Sequence, residues 1–303
     1  MKDLQQRLES GEKILLDGAT GTELEKRGVS MDEAAWCATA TATNPDVVRE
    51  VHEDYIRAGA EVIITNTFPA SKHVLGESGV GDRFRELNAR AAELANEARE
   101  NVAEGPVYIA GSISTFPARL DYGYNPGESE ARENYNEQAE VLAEAGVDLI
   151  SPEMMRDLEQ TQYAVEAATA TGLPVWVGFS CKRTEDGTVV LWDGRSTLAE
   201  ALENLPLQDI SLVSIMHTQT EDTVPALREL RKYWDRPLGA YPHYGEFIMP
   251  NWQFTDKISP EAFASEAQQW LDAGAQVVGG CCGIGPEHIR ALKEQLPLGS
   301  RQL

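Results

Sequence analysis

Three short strings repeat one construction along the chain: AGAEVI at 58–63, AGVDLI at 145–150 and AGAQVV at 273–278. Each follows an amphipathic stretch and leads into an apolar, largely β-branched run. Glycine at that point ends a helix in the left-handed conformation, and the apolar pair after it opens a strand buried on both faces. Repetition of this device restricts the chain to βα units. The same pattern read along the whole sequence gives eight strand candidates, at 13–17, 61–66, 107–112, 148–153, 174–180, 210–217, 237–242 and 276–281. Helical patterns lie between them at 45–57, 83–102, 132–144, 158–168, 198–202, 223–232 and 260–271. Two of these open with an N-cap and a proline at the first helical position, Asn44-Pro45 and Ser259-Pro260. Eight strands with intervening helices and no Pro/Gly/Ser linker predict an α/β fold, a (β/α)8 TIM barrel forming a single domain over 1–303. An open doubly wound sheet needs a Gly-rich phosphate loop after a strand, and DGATGTELEKRG lacks the dinucleotide spacing.

Charge narrows the partners. The 49 Asp and Glu against 26 Lys and Arg give a formal charge of −23, which argues against nucleic acid and against anionic membranes. The start, MKDLQQRLESGEK, is polar, and no stretch approaches about 18 uninterrupted apolar residues, so neither a signal peptide nor a membrane span is expected. Cys281 and Cys282 are adjacent and cannot pair without strain, while Cys37 and Cys181 are isolated. Reduced thiols and a cytoplasmic location follow, for a monomer or a small homo-oligomer.

In a barrel, chemistry gathers at the C-terminal ends of strands. Those ends carry Asp17, Asn66-Thr67, Ser112, Glu153, Ser180-Cys181, His217, His243 and Cys281-Cys282. Polar groups buried there without partners cost a few kcal/mol each, which marks a polar pocket. Cys281 and Cys282 are framed by Gly279, Gly280 and Gly283, so successive thiols can face one ion, and thiolates suit zinc. A catalytic zinc needs three protein ligands and an open position. His217 and Cys181 both end strands and compete for the third place. His243 in AYPHYG fits coordination, support of a ligand or substrate contact equally. Asp17 and Glu153 are placed to hold a substrate ammonium group. Tyr241, Tyr244 and Trp252 offer faces for a cationic ligand, and Trp36 and Trp252 sit near loops where they wall a pocket. His52 and His288 fall within helical patterns and read as structural, while Glu221 and Asp222 read as a solvated helix face.

These motifs together resemble the homocysteine S-methyltransferase family, zinc-dependent barrels that move a methyl group onto homocysteine sulfur. The similarity runs from about Lys13 to Leu292. ILLDGATGTELEKRG looks like the family's opening motif, and AAWCATATATNPDVVREVHEDYIRAGAEVIITNTFPAS looks like its second block. YPHYGE followed by VVGGCCGIGPEHIRAL resembles its ending. The resemblance implies zinc thiolates at Cys281 and Cys282, a homocysteine site lined by Asp17, Gly18, Asn66 and Thr67, and an ammonium contact at Glu153. It also implies a free sulfonium donor such as S-methylmethionine or S-adenosylmethionine rather than betaine, while Tyr241 and His243 are expected as substrate contacts from their own place at the end of the seventh strand.

Three positions depart from the family. His217, in SIMH, stands where a third cysteine is expected. Met154 follows Glu153 where the family has Thr, and His243-Tyr244 replaces Asn and a small residue. Two thiolates and one imidazole carry one negative charge less than three thiolates, leaving a more Lewis-acidic metal. Zinc-dependent methyl transfer from a small-molecule donor to a small-molecule thiol is the expected reaction, with methionine as product. The alternatives are a remodelled pocket for another thiol or donor, and a non-catalytic binding relative.

Overall fold

The computed structural model describes residues 3–117, 126–248, 251–253, 258–296 and 298, with the backbone alone for 246–248 and 251–253. Eight strands form the central sheet: β1 (Ile14–Leu15), β2 (Val62–Ile64), β3 (Tyr108–Ser114), β4 (Leu149–Glu153), β5 (Val175–Phe179), β6 (Ile210–Gln219), β7 (Leu238–His243) and β8 (Ala275–Val278). Each pairs in parallel with its sequence neighbours, and β8 pairs with β1. A parallel bridge between Leu16 and Val62, with Asp17 N donating to Val62 O at 3.0 Å, closes the ring between β1 and β2. The fold is the expected (β/α)8 barrel, and all eight strands fall where the repeat placed them.

Alternation along each strand builds two apolar layers. Ile14, Leu16, Val62, Leu149, Trp176, Leu212 and Val277 fill the barrel interior. Leu15, Ile63, Ile109, Ile150, Val177, Val213 and Val278 point outward against the helices. Burial of both faces explains why the strands read as continuous apolar runs. The glycines of the repeated junction sit at φ 111° (Gly59), 81° (Gly146) and 100° (Gly274), ending helices Pro45–Ala58, Glu128–Glu144 and Pro260–Asp272 as expected.

Two additions lie outside the repeat. Cys181–Arg183 and Val189–Leu191 form an antiparallel hairpin after β5, and Glu246–Ile248 pairs with Asn251–Gln253 after β7. The first hairpin ends at Trp192, whose ring lies 6.2 Å from that of His217. The sequence reading takes Cys181 as the end of β5, but it opens this hairpin.

Candidate active site

At the C-terminal end of the barrel a small cavity of about 70 Å³ is lined by residues from the ends of β1, β2, β4, β6, β7 and β8. Cys281 and Cys282 sit on its wall, set by a turn with Gly283 at φ 86°. Their backbone is fixed from both sides: Cys281 N donates to Pro242 O at 2.8 Å, and Tyr244 N donates to Cys282 O at 2.9 Å. The two sulfurs lie 3.9 Å apart, and His217 Nδ1 lies 3.7 Å from Cys281 Sγ. Ligand atoms of these three side chains all fall within 4.8 Å of one another.

A backbone irregularity delivers the imidazole. Met216 pairs with Tyr241 and Gln219 with His243, so β6 carries one extra residue against β7, and His217 inside this bulge has φ 43°. Beside it, the His243 ring packs at 4.6 Å between centroids, tilted by 54°, and is hydrogen-bonded to the His217 main chain. Burial, and then the neighbouring His217, hold the His243 imidazole well below the usual range. His243 thus braces His217, and among the described residues it stands outside the three-ligand group. Cys181 also stands outside it: its thiol is buried, its pKa raised by that burial, and its backbone N–H donates to Thr218 Oγ1 at 2.9 Å. Of the two candidates for a third ligand, His217 is the one whose ring nitrogen lies beside both thiols, and Cys181 is not in that group. The hydrogen bond with Cys282 and the adjacent His217 hold the Cys281 thiol well below its usual range, while burial and the Cys281 charge push Cys282 up.

Glu153 enters the cavity from β4, 3% exposed, and accepts hydrogen bonds from Ser112 Oγ and from Tyr241. Burial pushes its carboxyl up to about 8, against the lowering effect of these donors. Asp17 is fully buried behind the cavity wall. One carboxylate oxygen accepts from Ile64 N at 2.8 Å, and the other has no hydrogen-bond partner among the described residues. Burial raises its pKa, and the charge of Glu153 adds to the effect. Gly18 lines the cavity at a point where a Cβ would meet Ile284 O at 2.3 Å.

Asn66 lines the cavity while its amide donates to Cys37 O at 2.9 Å and Thr41 Oγ1 at 3.2 Å, bracing the Trp36–Cys37 turn. Thr67 turns away: its hydroxyl donates to Ser112 O at 2.7 Å, and the neighbouring Thr65 and Phe68 take the wall instead. The aromatic faces agree with expectation in part, since Trp36 walls the cavity as its loop position suggested. Trp36 and Phe68 line the cavity, and Phe116 packs against both, at 6.3 Å and 5.7 Å between centroids. Tyr244 packs on the outer apolar layer, Tyr241 lines the cavity with its hydroxyl bonded to Glu153, and the Trp252 side chain lies outside the described residues. Phe68, Phe116, Cys37 and Met216 carry no sequence signal beyond their nearness to strand ends.

A sequence profile of homocysteine S-methyltransferases matches residues 14–296. The chain belongs to the homocysteine S-methyltransferase family. It is similar to the homocysteine S-methyltransferase of Escherichia coli, 31% identical over 96% of this chain and 97% of that protein. It is also similar to a selenocysteine methyltransferase of Astragalus bisulcatus, 27% identical over 96% of this chain and 94% of the relative. The metallated form of the Escherichia coli homocysteine methyltransferase MmuM superposes with a TM-score of 0.79 and 30% identity, covering 94% of this chain and 96% of that one. Its oxidised form gives 0.81 and 29%, over 97% and 100%. A homocysteine S-methyltransferase is a methyl-transferring enzyme, and the barrel follows the family fold. Among the described residues no helix is long and apolar enough to cross a membrane.

Proposed function

We propose that this enzyme moves a methyl group from a cationic sulfonium donor to homocysteine, giving methionine, with zinc as its metal. The observation that carries the reading is the meeting of His217, Cys281 and Cys282 at a cavity that also holds Glu153 and the aromatic side chains of Trp36 and Phe68. Two sulfurs and one imidazole nitrogen suit zinc as a three-ligand set with an open fourth position. Zinc held there would supply a Lewis acid that keeps an acceptor thiol deprotonated at neutral pH.

The chain's own residues do the rest. Glu153 takes the ammonium group of homocysteine. No Lys or Arg is among the described residues lining the cavity, so the pocket favours a cation over an anion. Trp36 and Phe68 present ring faces to the sulfonium by cation–π contact. The acceptor sulfur attacks the methyl carbon in line, a new S–C bond forms, and the old C–S pair leaves with a neutral thioether. Charge disappears in this step, so walls that solvate the cation less than water does lower the barrier. S-methylmethionine and S-adenosylmethionine both fit, and betaine, which carries a compensating carboxylate, fits less well. We read 1–303 as one barrel domain working in the cytoplasm, where its four free cysteines stay reduced.

Zinc content measured alongside methyl transfer from a donor panel tests the proposal. We expect one equivalent of zinc, lost in Cys282→Ser and weakened in His217→Ala, and methionine formed from homocysteine with a sulfonium. Metal-free protein that still binds the amino acid would overturn the zinc reading, and no turnover with any donor would overturn the reaction.

A further inference from the structure

Beneath the cavity floor, Tyr55 reaches inward from helix Pro45–Ala58 and is fully buried. Its hydroxyl lies 2.9 Å from Ile284 O and 3.1 Å from Ala19 O, sharing its proton between two carbonyls of different segments. One segment, Asp17–Ala19, leads from β1 to the substrate side of the pocket. The other, Gly280–Ile284, carries both thiols. Two main-chain bonds already join them, Gly280 N to Asp17 O at 2.9 Å and Ala19 N to Ile284 O at 3.0 Å. Packing at the junction leaves no slack. A Cβ on Gly18 would stand 2.3 Å from Ile284 O and 2.9 Å from Tyr55 Oη.

Hydrogen-bond satisfaction does not explain this hydroxyl. Ile284 O already accepts from Ala19 N, and Ala19 O accepts from Glu23 N at 3.2 Å. A phenylalanine at 55 would therefore leave neither carbonyl without a donor, and would fill the same apolar space. What the hydroxyl adds is a fixed spacing between the turn that bears the thiols and the turn that borders the substrate. A three-ligand set holds its ion well only when the ligand positions are settled before the ion arrives.

We propose that Tyr55 is a positioning residue for the metal-ligand turn, its hydroxyl pinning Cys281–Ile284 against Gly18–Ala19. This rests on the reading that Cys281, Cys282 and His217 hold a metal. The test compares wild type, Tyr55→Phe and Gly18→Ala after the metal is stripped with a chelator. Zinc affinity is measured by competition with a chromogenic chelator, the thiolate-to-metal absorption is recorded after cobalt loading, and the melting of the metal-free proteins is followed. We expect metal-free Tyr55→Phe to melt close to wild type, to bind zinc about tenfold more weakly, and to show a shifted or weakened cobalt–thiolate band. Gly18→Ala, which pries apart the same junction, should move both metal readouts in the same direction. If wild type takes up no metal, the proposed function itself fails. If wild type takes up metal and Tyr55→Phe matches it in affinity and spectrum, or Tyr55→Phe no longer folds, the positioning role is overturned.

Discussion

Trp36, Met154 and His217 have left-handed backbone at φ 44°, 53° and 43°, the non-glycine residues that do so among those described. Each such conformation costs on the order of 1–3 kcal/mol and persists only where its surroundings hold it. Trp36 lines the cavity, Met154 follows Glu153, and His217 brings its ring to the thiols. The gathering of His217, Cys281, Cys282 and Glu153 at one end of the barrel was legible because polar groups at buried strand ends are expensive. Trp36 was placed beside a pocket by its loop position, whereas Phe68 was not, because where a loop side chain faces is encoded in no periodicity. Thr67 is not among the lining residues: its hydroxyl bonds to Thr65 Oγ1 and Ser112 O, while Thr65 lines the cavity. Glu153 supports a prediction at this scale. Its carboxyl sits at about 8 in the folded protein against 4.5 when unperturbed, so the native state binds the extra proton between those values. Stability of the metal-free protein should then fall as pH rises through that window, by roughly 1.4 kcal/mol per unit from this group. Glu153→Gln should remove that slope in melts taken at pH 6 and pH 8.5, and should raise the KM for homocysteine. An unchanged slope would show that Glu153 does not titrate there.

At the scale of elements, the repeated Ala-Gly junction carried most of the fold, because a left-handed glycine followed by a buried strand has few other uses. The hairpin 181–191 escaped the reading because its strands are three residues long, and CKR lacks the apolar alternation of a half-buried strand. That hairpin is followed by Trp192, whose ring centroid lies 6.2 Å from that of His217, so a segment outside the βα repeat packs beside the site. Strand β5 also shows how the interior is matched to the pocket. A Cβ on Gly178 would stand 2.6 Å from both Met216 Cγ and Tyr241 Oη, two side chains of the cavity wall. Gly178→Ala should therefore overpack the barrel by about 1–3 kcal/mol. Because Met216 and Tyr241 must move, kcat/KM should fall by more than the lost stability accounts for. Denaturant unfolding together with kinetics at a temperature where both proteins are folded checks this. Wild-type values in both would mean that the two side chains give way freely.

Across the whole molecule, acids outnumber their partners. Arg85 is shared by Glu137, Glu140 and Glu144, and Arg49 by Asp46, Glu53 and Glu97, yet the formal charge remains −23. Exposed pairs of this kind contribute at most about 1 kcal/mol each, so the uncompensated carboxylates dominate the long-range field. That field acts in two opposite ways. It repels the chain from itself, opposing the compact state, and under the proposed function it would draw a donor of net positive charge toward the pocket. Salt weakens both, since the screening length shrinks from about 30 Å at 0.01 M to about 3 Å at 1 M. Over that range the melting temperature should rise while kcat/KM for a sulfonium donor falls, and a donor of zero net charge should lose far less. A melting temperature that falls with salt would show that specific ion pairs outweigh self-repulsion. Equal salt dependence for charged and neutral donors would show that the acidic surface serves solubility alone and does not guide the substrate.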